Sequence, residues 1–169
     1  MADGSTVPVG NLAINGKIIT NTKNQASWLN TSNKSQTTIY TTYDNKCGIV
    51  KTDDLTTIPN LKNGISGIPI LRNGWNQKQK YKEEGYFGSE MYNTWHIFLG
   101  IRDEKLVIVG AQIGAAQMPY LMEVLGLKDS IKLDGGGSFI LHSMDLTKTT
   151  SENRKINNII VWWGKNEKI

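Results

Sequence analysis

Ser130-Ile131-Lys132-Leu133-Asp134-Gly135-Gly136-Gly137-Ser138-Phe139-Ile140-Leu141-His142 decides how this chain is read. Ser130 to Leu133 and Phe139 to His142 read as two short strands, and three adjacent glycines separate them. Each glycine in regular structure costs roughly 0.5–1 kcal/mol relative to alanine, so the run implies special backbone geometry. Asp134 therefore sits at a strand end, against backbone free to take positive φ and let a ligand approach. Successive glycine amides can also line an anion-binding concavity. A glycine-rich hairpin turn in which Asp134 caps its own backbone fits the same residues.

Working outward, the chain reads as β structure punctuated by turns. Asn15-Gly16 between apolar segments is a hairpin signal, and Asn73-Gly74 follows a second apolar run. Thr37 to Tyr43 is dense in β-branched and aromatic residues and reads as a strand, with Asp44 to Lys46 its turn and Cys47 to Val50 returning. Pro69 has no N–H to give a ladder, which predicts an edge strand or a bulge. Trp95 to Ile101 and Lys105 to Val109 form the clearest strand pair, joined by Arg102 to Glu104. Met118 to Leu125 has apolar residues at helical spacing, proline near its start and Gly126 at its end, which predicts a helix. Ile156 to Trp163 reads as the last strand, and residues 21–36 and 75–92 as loops. The expected fold is one α+β domain with a largely antiparallel or mixed β-sheet and one main helix ahead of the Asp134 strand and loop.

Composition narrows the function classes. At 169 residues the chain can bury a core without staples. It lacks the apolar run of about eighteen residues that a membrane-spanning helix needs, and no signal peptide is legible at its N-terminus. Cys47, the single cysteine, has no disulfide partner and reads as a partly buried structural thiol. Two histidines without ligand spacing predict no structural zinc site, and no cofactor is expected. The net charge of +4 suits an anionic partner such as a phosphate-bearing glycan. Basic residues are interleaved with acids, however, and no recognition module is present, so nucleic acid is not an expected partner.

Leu133-Asp134-Gly135-Gly136-Gly137-Ser138, preceded by the helix and followed by Arg154-Lys155-Ile156-Asn157-Asn158, resembles the phosphodiester glycosidase family. That family's signature is close to Asn-Leu-Asp-Gly-Gly-Gly-Ser, with an Arg-x-x-x-Asn lead-in to its last strand. Ser66 to Gly74 is similar to its Gly-x-Pro-x-Leu-x-x-Gly strand and turn. The likeness runs from near Ser66 to Trp163 and, more loosely, over the N-terminal hairpin. Lys132 stands where the family has Asn, and His96 where its Arg-Thr-Ala-Ile-Gly strand has Arg. Val7-Pro8-Val9-Gly10 falls at about the turn that follows the family's first strand. A sheet edge left open there predicts self-association or a strand-donating partner.

The resemblance implies a carbohydrate-active hydrolase that frees a sugar from a sugar-1-phosphodiester. Asp134 is then the catalytic carboxylate, as nucleophile, base or ligand-orienting group. Gly135, Gly136 and Gly137 offer amides and Ser138 a hydroxyl to substrate oxygens. His96 is a donor or acid towards phosphate, although a strand histidine beside Trp95 can equally be a packing residue. Arg154 is a guanidinium for a phosphate clamp or an ordinary surface charge, and His142 points back to the loop or packs. Glu83, Glu84 and Glu90 offer a second carboxylate that spacing does not single out, and Trp75 an aromatic face for a sugar. The rival expectation is a non-catalytic module on the same scaffold that binds polysaccharide or joins an assembly.

Overall fold

The computed structural model describes residues 10–25, 35–77, 84, 92–135, 140–142 and 147–149, with the backbone alone at 134, 140–142 and 147–149. Tight turns set its strand pairs. Asn15 and Gly16 take left-handed φ of 49° and 77° and close β1 (Leu12–Ile14) onto β2 (Lys17–Thr20). Such two-residue turns match the right-handed twist of the flanking strands. Asn45, at φ 61°, turns β3 (Gln36–Thr42) into β4 (Cys47–Thr52). β5 (Leu61–Ser66) pairs with both β1 and β3, giving a first sheet in the order β2-β1-β5-β3-β4.

The second sheet repeats the device. Asn73 and Gly74 join β6 (Ile68–Arg72) to β7 (Trp75–Asn76). Asp103 and Glu104 join β8 (Thr94–Arg102) to β9 (Lys105–Ile113). β10 (Asp129–Gly135) inserts between β6 and β8, in the order β7-β6-β10-β8-β9. β11 (Ile140–His142) and β12 (Thr147–Thr149) form a separate pair. Every strand pairing among the described residues is antiparallel, which narrows the expected "antiparallel or mixed" sheet. Pro69 stands opposite Ile131 beside a register irregularity, so the bulge expectation holds for it and the edge expectation does not.

The expectation of one sheet is corrected to two five-stranded sheets that share a core. Ile39 of the first sheet meets Leu99 and Ile131 of the second, with Ile49, Ile65, Ile108 and Leu133 packed around them. The outer face of the first sheet buries Ala13 and Leu61 with Leu55 and Ile58 from a short 3-10 turn. Asp54 caps that turn, and its hydrogen bonds from Lys23 and the Thr56 N–H hold its carboxyl down at about 2. The outer face of the second sheet is covered by the helix α1 (Met118–Val124), whose Met118 and Met122 pack on Ile68, Ile70 and Phe98. Gly126, at φ 72°, ends the helix: its N–H reaches the Glu123 carbonyl and the Leu127 N–H that of Met122. This is the Schellman arrangement with its accompanying apolar contact, here between Leu127 and Met122.

Gly67 is the residue at which the chain leaves the first sheet for the second. Its N–H donates to the Thr37 carbonyl at 3.1 Å, and a Cβ there would stand 2.6 Å from the Lys132 carbonyl oxygen. The starts of β3, β6 and β8 and the finish of β10 therefore gather at one end of the two sheets.

Candidate active site

At that end the β10 ladder loses its regular register. Lys132 stands opposite Phe98 and Gly135 opposite His96, so three steps along β10 answer two along β8. The extra residue makes a bulge, and bulges release side chains from strict alternation and recur beside active sites. Asp134 lies inside this bulge. Gly135 is required there, but not for a left-handed backbone. Left-handed glycines among the described residues are Gly10, Gly16, Gly74 and Gly126. At Gly135 a Cβ would stand 2.4 Å from the Trp95 carbonyl oxygen and 2.8 Å from His96 Nδ1. The glycine thus lets two strands close together, a reason the sequence reading did not name. Gly135→Ala is expected to cost about 1–3 kcal/mol, the range for overpacking a well-filled site. Chemical denaturation measures it, and an unchanged midpoint would contradict the close approach.

His96 is 1% exposed, set edge-to-face on Phe98 with ring centroids 6.1 Å apart. Its Nε2 donates to the Tyr92 carbonyl oxygen at 2.8 Å. In a neutral ring this partner assigns the proton to Nε2 and makes Nδ1, on the Gly135 side, the basic nitrogen. Lys132 is 3% exposed. Its Nζ donates to the Leu133 carbonyl oxygen at 3.0 Å. The described part of the site is thus a bulged strand end carrying Asp134, with two buried basic side chains beside it.

Other expected residues lie elsewhere. Trp75 is 76% exposed on β7, paired with Arg72. The neighbouring Asn73 N–H binds Asp129, at the opposite end of β10 from Gly135. Six residue steps separate those ends, about 20 Å. The structure does not bring Trp75 to the glycine corner, because the Asn73-Gly74 turn carries it past the far edge. Glu84 is 2% exposed but accepts from the Thr37 N–H at 2.7 Å and the Thr37 hydroxyl at 2.8 Å, with Lys51 Nζ at 3.4 Å. Those contacts pin it to the start of β3. Burial pushes the Cys47 thiol up, against a weaker pull from the Leu106 backbone, as suits an unreactive thiol. Gly136, Gly137, Ser138, Arg154, Glu83, Glu90 and the strand expected over residues 156–163 lie outside the described residues, and His142 is described by its backbone alone.

Among the described residues no group of three or more His, Cys, Asp or Glu side chains forms a metal site, and no helix is long and apolar enough to cross a membrane. A hollow of about 310 Å³ lined by Tyr40, Thr42, Asp44, Lys46, Cys47, Pro59 and Asn60 lies at the β3–β4 turn, away from the glycine corner.

Comparison with known proteins adds three findings. No curated protein sequence matches this chain. The catalytic domain of zebrafish N-acetylglucosamine-1-phosphodiester alpha-N-acetylglucosaminidase, solved in a form auto-inhibited by its pro-peptide, shares the fold at a TM-score of 0.56 and 21% identity. The match covers 78% of this chain and 47% of that one, so this chain spans about half the length of its structural relative. The family profile described as NAGPA, phosphodiester glycosidase, matches residues 1–163. With the match running over nearly its whole length, this chain belongs to the phosphodiester glycosidase family.

Proposed function

We propose that this chain hydrolyses a sugar-1-phosphodiester, releasing the sugar and leaving the phosphate on its other alcohol. The observation that carries this reading is the bulged end of β10, where Asp134 lies between Lys132 and Gly135 with His96 across the ladder. Cleavage breaks the bond between the anomeric carbon and a phosphate oxygen. The electron pair leaves with the phosphate, and water supplies a hydroxyl to the sugar and a proton to the departing side. An oxocarbenium-like sugar needs a carboxylate close by, which is the role assigned to Asp134. His96, with Nδ1 on the Gly135 side, suits proton transfer or a hydrogen bond to a phosphate oxygen. Amides of Gly135 to Gly137 and the hydroxyl of Ser138 are assigned to substrate oxygens, and Arg154 to the phosphate.

The decisive experiment offers the native chain a panel of sugar-1-phosphodiesters and measures free sugar. N-acetylglucosamine comes first, because the structural relative's name specifies it. Release of sugar with a phosphomonoester as co-product supports the reading. Saturable glycan binding with no product across the panel would favour a binding module on the same scaffold, a reading to which the histidine in place of the family's arginine lends weight.

A further inference from the structure

We propose that β9 is a docking edge for a second copy of this chain, the two strands pairing antiparallel about Val109 so that the second sheet continues across a twofold axis. Among the described residues nothing pairs with the side of β9 turned away from β8. Folded proteins keep edge strands short, charged, bulged or broken by proline, because free N–H and C=O groups invite another chain. The other edges follow that rule: β7 has two residues, β2 has four with Lys17 among them, and β4 carries Lys51. β9 does not. Its nine residues pair with β8 without a break in register, and from Leu106 to Ile113 they include no charge and no proline. Both faces are apolar: Val107, Val109, Ala111 and Ile113 lie against the helix-side core, and Ile108 against the core between the sheets.

The turn decides which backbone groups face outward. Asp103 and Glu104 form a two-residue turn at φ 51° and 60°, so Arg102 and Lys105 make the hydrogen-bonded pair that closes the hairpin. Bonded and non-bonded pairs alternate from there, which turns the backbone of Leu106, Ile108, Gly110 and Gln112 outward. The Leu106 amide accordingly reaches the Cys47 thiol of β4. A second β9 centred on Val109 engages each of these outward positions. Leu106 then pairs with Gln112 of the partner subunit and Ile108 with Gly110 of the partner subunit. On the other face Val107 lies opposite Ala111 of the partner subunit, again larger against smaller, and Val109 meets its own counterpart as a β-branched pair. Lys105 falls opposite Ile113 of the partner subunit, so the two ammonium groups stand roughly 27 Å apart along the strands. The strand is thus complementary to itself in length, polarity and side-chain size, as a twofold interface requires.

Sedimentation velocity of the full chain over a concentration series, with three variants, tests this. Gln112→Pro removes an outward N–H at an exposed position, leaves the β8 ladder intact and, by symmetry, acts twice in the dimer. It should weaken the dimer at least about tenfold with an unchanged circular dichroism spectrum. Val109→Cys sets a thiol opposite itself at a Cα separation of about 4.5 Å, within disulfide range, and should yield a covalent dimer under mild oxidation. Lys105→Cys, far from the axis, should cross-link no more than the native chain does through Cys47. Should the proline variant not fold, the cross-link decides alone. A native chain that stays monomeric throughout the series overturns the proposal, as does a dimer that ignores a folded Gln112→Pro or gives no cross-link at 109. None of these readings involves sugar release, so the outcome is separate from that of the phosphodiester reading.

Discussion

Asp134→Asn is expected to lower sugar release about 10²–10⁴-fold, the range spanned by removing one positioned acid–base group. That factor corresponds to about 3–5 kcal/mol of transition-state stabilisation. Asparagine is the discriminating replacement because it keeps the shape of aspartate and caps a turn equally well. If Asp134 were only a turn cap, Asp134→Asn would melt and turn over like the native chain. If it is the reacting carboxylate, the fold survives and turnover does not. The readings are the denaturation midpoint and the initial rate on one accepted phosphodiester. Unchanged rates at unchanged stability would remove Asp134 from the chemistry. The bulge between Lys132 and Gly135 makes this corner sensitive, since even a 1 Å misplacement can cost a hundredfold in rate.

The second large effect concerns Glu84. Removing its carboxylate strands the Thr37 N–H and hydroxyl in a buried setting and takes the counter-charge from Lys51. Each buried donor left unmade costs about 1–3 kcal/mol. Lys51 is partly exposed, so its ammonium can turn to water and adds little. Glu84→Ala should therefore lose about 3 kcal/mol, which for a chain of this size lowers Tm by roughly 6–12 °C. Glu84→Gln keeps one acceptor oxygen and should fall between the two. Calorimetry or urea unfolding decides it; a Glu84→Ala variant as stable as the native chain would mean that the pin carries no weight. Thr37 also accepts from Gly67, so loosening β3 at this point reaches the crossing between the sheets.

Local features of the fold were legible wherever a local cause produces them. Asn15-Gly16 and Asn73-Gly74 turn because asparagine and glycine tolerate left-handed φ, and the helix stops at Gly126 for the same reason. β8 and β9 follow from apolar, β-branched composition. What could not be read is non-local. Ile65 to Asn73 looks like one apolar run, yet Gly67 divides it between two sheets because of what packs on it from β3 and β10. Lys132 is buried on the face of β10 opposite Ile131 and Leu133, and that burial depends on what packs there from elsewhere in the chain. Glu84 was one of three loop carboxylates, and its choice depends on Thr37 and Lys51, distant along the chain. The reason for glycine at 135 is the close approach of β8.

The position of β10 carries a kinetic consequence. In its sheet this strand is last in sequence but central in space, flanked by β6 and β8. Until it arrives, those two strands have no ladder between them, and the chain must close a long loop before that contact is rewarded. The peptide bearing Asp134 is thus also the sheet's closing piece. A molecule caught before β10 docks holds neither a finished second sheet nor the bulged corner, so that sheet closes and the corner forms in the same step.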